Sequence, residues 1–451
     1  MAEALAQSQA QARARHMPKV EMAIDPNRYR SSSQGPSQGL PVTLEEVDRV
    51  IDRATRTDGW MPVIPQYRGA SRWARQQWKS TVVEHLLGPC ILSVTVPLLM
   101  VLAIRIFLPS ARLLPSPDRE HPLFATLLSI SFGWGHLLTL TTFTTTFFLS
   151  HAHAFWRKCY EKARTVQGRL NDVGLLCGSH AARTPDGAIE PEAAELLTQI
   201  ARQLRLAHVL FWSDVVYRRT LDKGASFRTL LSAPGLHLMH VRGLLDEREY
   251  ATLIHAGLPP ARWYLVVLEW VMARVSQARR EGLIVGTPGW DATVLSKLCE
   301  LRASMMAIPD ELAARIPLAY VHLTSLLVDA LLWLAPLALL PHQASGQTPR
   351  APAPVPRIAR AAHWQGAFTL LLCPLIVLFY SGLLELSKSF LDPFGNRRVS
   401  TTDLSAEINI DTILGEANAG SLVWPAGAQR TPFVERQQQA GASPSAGSPP
   451  S

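Results

Sequence analysis

The sequence predicts an all-α, multi-pass membrane protein with four transmembrane helices and a large cytosolic helical layer. Three observations support this fold class. The chain has 451 residues, of which 47% are apolar and only 18% charged, a balance expected when membrane segments are diluted by soluble ones. Four stretches are apolar and long enough to cross a bilayer as helices. Between the second and third stretch, apolar residues recur at three- and four-residue spacing, which is typical of helices and not of strands.

The two ends of the chain differ from this central part. Residues 1–65 and 425–451 are polar or rich in Pro, Ser, Gln and Ala, and we predict both tails to be mostly disordered. The first 16 residues lack the apolar stretch of a secretory signal. Residues 66–424 are therefore expected to form the folded domain.

The four predicted transmembrane helices occupy about residues 86–107, 123–150, 316–340 and 364–385. Asp329 interrupts the third. The apolar run 263–272 is too short to span a bilayer and contains Glu269, so we expect a buried helix of the soluble layer there.

Residues 151–315 form the predicted cytosolic layer, and the basic residues fix its side of the membrane. Fourteen Lys and Arg residues flank the spans on the side of the tails and the middle segment, against five in the two connecting loops 109–122 and 342–363. Both tails and the middle segment should therefore face the cytosol. Because the basic residues cluster beside the predicted spans, the net charge of +8 indicates contact with an anionic membrane surface. We expect no nucleic-acid partner.

Six short motifs have an order and spacing that resemble the bestrophin family of anion channels. They are WKSTVVEHLL from Trp78, FWRKCY at 155–160, ARREGLI at 278–284, ELRAS at 300–304, IPLAY at 316–320 and FYSGLLELSKSFLDPFG at 379–395. The ordered agreement covers roughly residues 68–420. The resemblance implies a homopentamer that conducts chloride, bicarbonate or another small anion through a central pore lined by the second span.

The resemblance also places the narrow neck of that pore at Thr139, Phe143 and Phe147, within the run TLTTFTTTFF. A spacing of four keeps these side chains near one helix face, whether or not the family is considered. An aromatic ring is positive at its edge, so inward-facing edges would favour an anion. His136, three residues before Thr139, could as a cation draw anions to the outer mouth; a neutral, packed histidine is the alternative.

Two other interpretations of this run stay open. Threonine in a membrane helix commonly bonds the carbonyl four residues earlier, and phenylalanine commonly faces lipid or the core. The rival pore-facing set would be Leu138, Thr142 and Thr146.

Two further features carry predictions. An acidic side chain such as Asp329 is costly in hydrocarbon, and we expect it to pair with Arg105 or a hydroxyl of a neighbouring helix. By the family's spacing, a second constriction at the cytosolic end, the aperture, falls at Trp290 or Val294.

The sequence departs from animal bestrophins after the Pro-Phe-Gly turn. Their acidic calcium clasp is replaced here by Asn396, Arg397 and Arg398, and two guanidinium groups repel a divalent cation. Asp392, Asp403 and Glu407 remain as oxygen donors. We expect no animal-type calcium clasp.

Two other functional classes compete with an anion channel. One is a non-conducting membrane scaffold with the same body. The other is a membrane oxidoreductase with a metal held by His151, His153, His237 and His240, although such sites need more repeated clusters. The five cysteines form no CxxC pair, and we expect no enzyme activity, cofactor or metal site. The plasma membrane is preferred over an organellar one.

Overall fold

The computed structural model describes residues 43–58, 62–64, 122–216, 227–255, 257–345, 356–395 and 406–429, with single positions between 86 and 99. These residues form helices and no strand, which confirms the all-α prediction. The α-helices are α1 (Leu44–Thr55), α2 (Pro122–Ser179), α3 (Pro191–Val215), α4 (Ala233–Val241), α5 (Glu247–His255), α6 (Trp263–Arg280), α7 (Trp290–Ala313), α8 (Leu318–Ser345), α9 (Pro356–Phe390) and α10 (Ile410–Ala428). Two 3₁₀ turns lie at Phe227–Leu230 and Pro260–Arg262.

Helix α2 is the longest element and organises the fold. Its 58 residues span about 87 Å at 1.5 Å per residue, far more than a bilayer needs. The second predicted span and the start of the cytosolic segment are thus one continuous helix. Most of its buried residues recur every three or four positions and form one stripe along the helix: Thr141, Thr145, Phe148, Ala152, Phe155, Cys159, Ala163, Val166, Leu170, Val173 and Cys177.

At one end of the molecule, α2 packs against α8 and α9 around a small apolar cluster of Phe148, Val328, Leu331, Tyr380 and Leu384. The Nε1–H group of Trp134 donates to the carbonyl of Leu331 at 2.9 Å and fixes α2 against α8. A buried indole N–H without such an acceptor would be costly.

Within the described residues, two segments are long and apolar enough to cross a membrane, Leu318–Leu339 in α8 and Leu372–Phe390 in α9. They overlap the third and fourth predicted spans. Only 22% and 28% of these segments are buried within the chain, unlike the core helices of soluble proteins. The second predicted span is part of α2, and the first lies mostly outside the described residues.

The larger core lies at the other end, around α3. Every residue from 206 to 213 in α3 is buried, because α2, α6, α7 and α10 all contact this helix. Helix α6 begins at Trp263 and buries Trp263, Tyr264, Val267, Leu268 and Val271, which confirms a buried helix at 263–272.

A capping box and an ion pair secure α5 to this core. The Asp246 carboxylate accepts from the Glu249 N–H at 2.7 Å, and Glu249 accepts from the Asp246 N–H at 3.0 Å. Glu249 also accepts two hydrogen bonds from Arg202 and one from Gln203. Burial alone would raise the pKa of Glu249, but these hydrogen bonds outweigh it and hold the pKa below its usual range.

Two helices extend into segments that the sequence predicts to be disordered. Helix α1 lies within residues 1–65, and it buries Val47, Val50, Ile51 and Ala54 on one face. Helix α10 continues to Ala428, past the predicted domain end at residue 424. Asn418 of α10 donates to the carbonyls of Ala54 at 2.8 Å and Arg56 at 3.1 Å, so the two helices stabilise each other.

Candidate anion pathway along helix α2

The threonine- and phenylalanine-rich segment of α2, residues 139–148, has two distinct faces. Thr141, Thr145 and Phe148 are fully buried against the chain's own helices. Phe143 and Phe147 lie on the other side and are 61% and 48% exposed. Thr139 is also exposed, so the three predicted neck residues share the face that the chain itself leaves uncovered.

The threonine hydroxyls mostly bond the helix backbone. The Oγ1 atoms of Thr139, Thr142, Thr144 and Thr146 donate to the carbonyls four residues earlier, at 2.7–3.1 Å. Bonding to the carbonyl four residues earlier is thus observed for these four threonines, and it does not decide which face lines a pore. These bonds satisfy the hydroxyls within the helix itself. They also direct the hydroxyl hydrogens toward the backbone and away from the exposed face.

Thr142, a member of the rival face, has a second contact. Its Oγ1 lies 2.6 Å from the Tyr380 hydroxyl of α9, and because Oγ1 already donates to the Leu138 carbonyl, the tyrosine hydroxyl is the donor. Leu138 packs against the apolar cluster around Phe148. Two of the three rival residues are thus engaged with the chain's own helices. Tyr380 was not among the predicted site residues, although it lies in the FYSGLL motif.

The two exposed phenylalanines contact each other. The ring centroids of Phe143 and Phe147 are 4.6 Å apart, with the ring planes tilted by 52°. A tilted pair of this kind brings the positive edge of one ring toward the negative face of the other. The contact limits how freely either ring can turn, so it helps to define the surface that the pair presents.

His136 lies about one helical turn before Thr139 and is exposed. Its ring makes an edge-on contact with Phe132, with centroids 4.6 Å apart and planes at 81°. The histidine is therefore packed on one side by an aromatic ring and open on the other. Its role at an outer mouth remains a prediction.

The structure describes one member of the predicted pair of Asp329 and Arg105. Asp329 is exposed on α8 and has no hydrogen bond or ion pair with any residue that the structure describes. Arg105 lies outside those residues. Their pairing stays a prediction.

Trp290 and Val294 do not lie at a surface. They are only 4% and 1% exposed and belong to the larger apolar core. Gly289, with a left-handed φ of 90°, precedes the first residue of α7, and the apolar side chains of the first turns then point into the core. Both side chains are covered by their own chain in this conformation, and their role at an aperture remains a prediction.

The candidate metal donors do not converge in the described part of the chain. No group of three or more His, Cys, Asp or Glu side chains is arranged there to hold a metal ion. His153 contacts the rings of Trp156 and Phe390, while His237 and His240 contact the ring of Tyr250. Aromatic packing engages these three histidines, and the ring nitrogens of His240 also lie 3.0 Å from the Leu245 carbonyl and 3.0 Å from the Glu247 carboxylate.

The structure describes only some of the acidic residues near the Pro-Phe-Gly turn. Asp392 lies 3.9 Å from the Arg315 guanidinium, so a cation already stands beside it. Residues 396–398 and Asp403 lie outside the described part of the chain.

Comparison with known proteins agrees with the fold. The family model described as "Bestrophin, RFP-TM, chloride channel" matches residues 137–414. Among solved structures, a variant of a bacterial bestrophin homolog from Klebsiella pneumoniae matches with a TM-score of 0.51 and 14% identity, covering 75% of this chain and 98% of that one. A second variant of that homolog gives a TM-score of 0.49 and 14% identity, with coverage of 76% and 99%. No curated protein matches. Because the family model covers well over half of the sequence, the chain belongs to the bestrophin family.

Proposed function

We propose that this protein is an anion channel, a homopentamer in which five copies of α2 surround a central pore with its neck at Thr139, Phe143 and Phe147. One observation carries the proposal: Phe143 and Phe147 are exposed on one face of a helix whose opposite face is buried by α8 and α9. Membership of a family described as chloride channels supports it.

The charges along α2 suit an anion. No residue from 123 to 150 carries a formal charge, so no carboxylate repels an anion at the neck. Beyond the neck, the cytosolic part of α2 begins with the exposed cations Arg157 and Lys158, although Glu161 pairs with the first at 2.9 Å and Glu311 lies 3.8 Å from the second. A positive surface at a pore entrance raises the local concentration of anions.

The two phenylalanines and Thr139 have different roles within the neck. Ring edges favour an anion over a cation, and a narrow apolar ring can close by losing its water. Thr139 supplies a hydroxyl where the family has an apolar residue. The outer part of the neck is therefore wetter and closes less tightly than the part formed by the rings.

The direct test is current through the purified full-length protein in a planar bilayer with a gradient of potassium chloride. An anion channel gives a reversal potential near the chloride equilibrium potential, and bicarbonate on one side measures the second leading anion. A reversal potential near that of potassium contradicts the proposal. An intact pentamer by native mass spectrometry that passes no current supports the scaffold alternative.

Calcium is expected not to open this channel. Arg397 and Arg398 stand where animal bestrophins have carboxylates, and Asp392 already faces Arg315. Single-channel recordings across a calcium titration from nanomolar to millimolar should show open probability unchanged. Replacing both arginines with aspartate serves as the comparison, because it restores acidic groups at these positions. Steep activation of the unaltered protein by micromolar calcium contradicts the prediction.

The plasma membrane is the proposed location. Fractionation of the source cell, with the full-length protein detected in plasma-membrane or organellar fractions, tests this placement.

A further inference from the structure

A small cavity lies where α2, α3 and α10 meet, in the cytosolic layer and away from the neck. The cavity volume is about 10 Å³, which is enough to hold one water molecule or one monatomic ion of similar size. It is lined by Leu170, Asn171, Leu204, Arg205, His208, Ala417, Ser421 and Trp424, none of which is acidic.

His208 brings an unpartnered hydrogen-bond donor to this cavity. The side chain is 0% exposed, and its Nε2 atom lies 2.7 Å from the Trp212 Nε1 atom. An indole N–H can only donate, so Nε2 accepts and the proton of the neutral ring is on Nδ1. Burial lowers the pKa of His208 to about 3, so the ring is neutral at physiological pH. Nδ1 is buried and has no hydrogen-bond partner.

Arg205 brings a positive charge without a counter-charge. It lies one turn before His208 on α3, and its buried Nε atom has no hydrogen-bond partner. Among the described residues, no carboxylate forms an ion pair with it. Burial lowers the pKa of Arg205, because a cation removed from water loses hydration. The guanidinium is only partly withdrawn from water, but its Nε–H group is buried and, with no carboxylate paired to it, favours an anion as hydrogen-bond acceptor.

The remaining polar groups do not supply an anionic acceptor. The Ser421 hydroxyl donates to the Asn418 carbonyl at 2.6 Å, which leaves a neutral oxygen toward the cavity. Asn171 offers a neutral amide. A water molecule would hydrogen-bond these groups but would leave the guanidinium charge unbalanced, whereas a halide accepts from both donors and cancels the charge.

We propose that this cavity is a binding site for a single chloride-sized anion, held by the Nε–H group of Arg205 and the Nδ1–H group of His208. The site is separate from the conduction pathway and does not depend on the proposed channel function. Because α2, α3 and α10 each contribute residues, a bound anion stabilises the contact of the C-terminal helix with the longest helix. Cytosolic chloride thereby becomes a ligand of the folded state.

The test measures thermal unfolding of the purified full-length protein at equal ionic strength in chloride, bromide or gluconate, which is too large for the cavity. Chloride and bromide should raise the unfolding midpoint of the unaltered protein by about 2–4 °C over gluconate. Arg205→Met should lose this difference while remaining folded, because the substitution also removes the unpaired charge. Arg248→Met is the matched control: it removes one charge from an exposed position on α5 and should keep the difference.

Crystals of the unaltered protein grown in bromide provide a second measurement that needs no variant. Anomalous scattering should show a bromide peak between Arg205 and His208. Absence of that peak, or a halide-dependent midpoint that persists in Arg205→Met, overturns the proposal and leaves water or a carboxylate from another segment as the occupant. Reversal potentials of Arg205→Met separate this site from the pore, since they should match those of the unaltered protein.

Discussion

Alanine in place of both Phe143 and Phe147 is expected to raise the open-to-closed equilibrium constant about tenfold, which corresponds to a change of about 1.4 kcal/mol in the free energy of opening. The two rings form the apolar part of the proposed neck, and they contact each other at 4.6 Å between centroids. Removing them widens the constriction and lowers the cost of wetting it. Loss of the ring edges should also weaken discrimination against cations, and the reversal potential in a potassium chloride gradient should move toward zero.

Single-channel recording in planar bilayers measures both effects, with each single variant beside the double one. Phe379→Ala is the matched control, because Phe379 is a phenylalanine of α9 with 53% exposure. It makes the same change of side chain on a different helix and should leave both quantities unaltered. Open probability and reversal potential that are unchanged in the double variant would remove Phe143 and Phe147 from the neck.

The second large effect is expected from Gly174→Ala on α2. A Cβ atom at this position would collide with the indole ring of Trp424, so the ring and α10 must move. Overpacking of this kind costs about 1–3 kcal/mol. The variant should have a lower thermal unfolding midpoint. Because Trp424 also lines the proposed anion site, that midpoint should no longer differ between chloride and gluconate.

Gly168→Ala is the control for that experiment. Gly168 lies on the same helix, and a Cβ atom there would meet nothing within 4 Å in its own chain. Both substitutions gain the same helix propensity, about 1 kcal/mol, so the difference between them isolates the contact with Trp424. Equal unfolding midpoints for the two variants would show that α10 does not pack against Gly174 as described.

Local sequence signals predicted the parts of the fold that depend on one segment at a time. The four-residue spacing of Thr139, Phe143 and Phe147 correctly indicated a shared helix face. The apolar residues of α1 also have helical spacing, at Val47, Val50, Ile51 and Ala54. The polar composition of residues 1–65 nevertheless led to a prediction of disorder. A short amphipathic helix in a polar tail is stabilised by its partner, here α10, and not by its own propensity.

Features that depend on distant segments were not predictable from the sequence. The hydroxyls of Thr142 and Tyr380 meet although 238 positions separate them. Trp290 and Val294 were placed by the family's spacing along the chain, and the structure buries both. Arg205 and His208 are neighbours on α3, but only the docking of α10 makes their surroundings a cavity.

The central claim is that the exposed face of α2 lines a water-filled route for anions. Covalent attachment of a charged group to a cysteine on that face tests it most directly. Phe147→Cys would be made in a Cys299→Ser background, since Cys299 is an exposed cysteine. A sulfonate-bearing methanethiosulfonate reagent added to the bath should then block single-channel chloride current, while Phe379→Cys in the same background should be unaffected. Current that continues unchanged after reagent exposure, with position 147 unmodified by mass spectrometry, would show that this face meets lipid or protein instead of water.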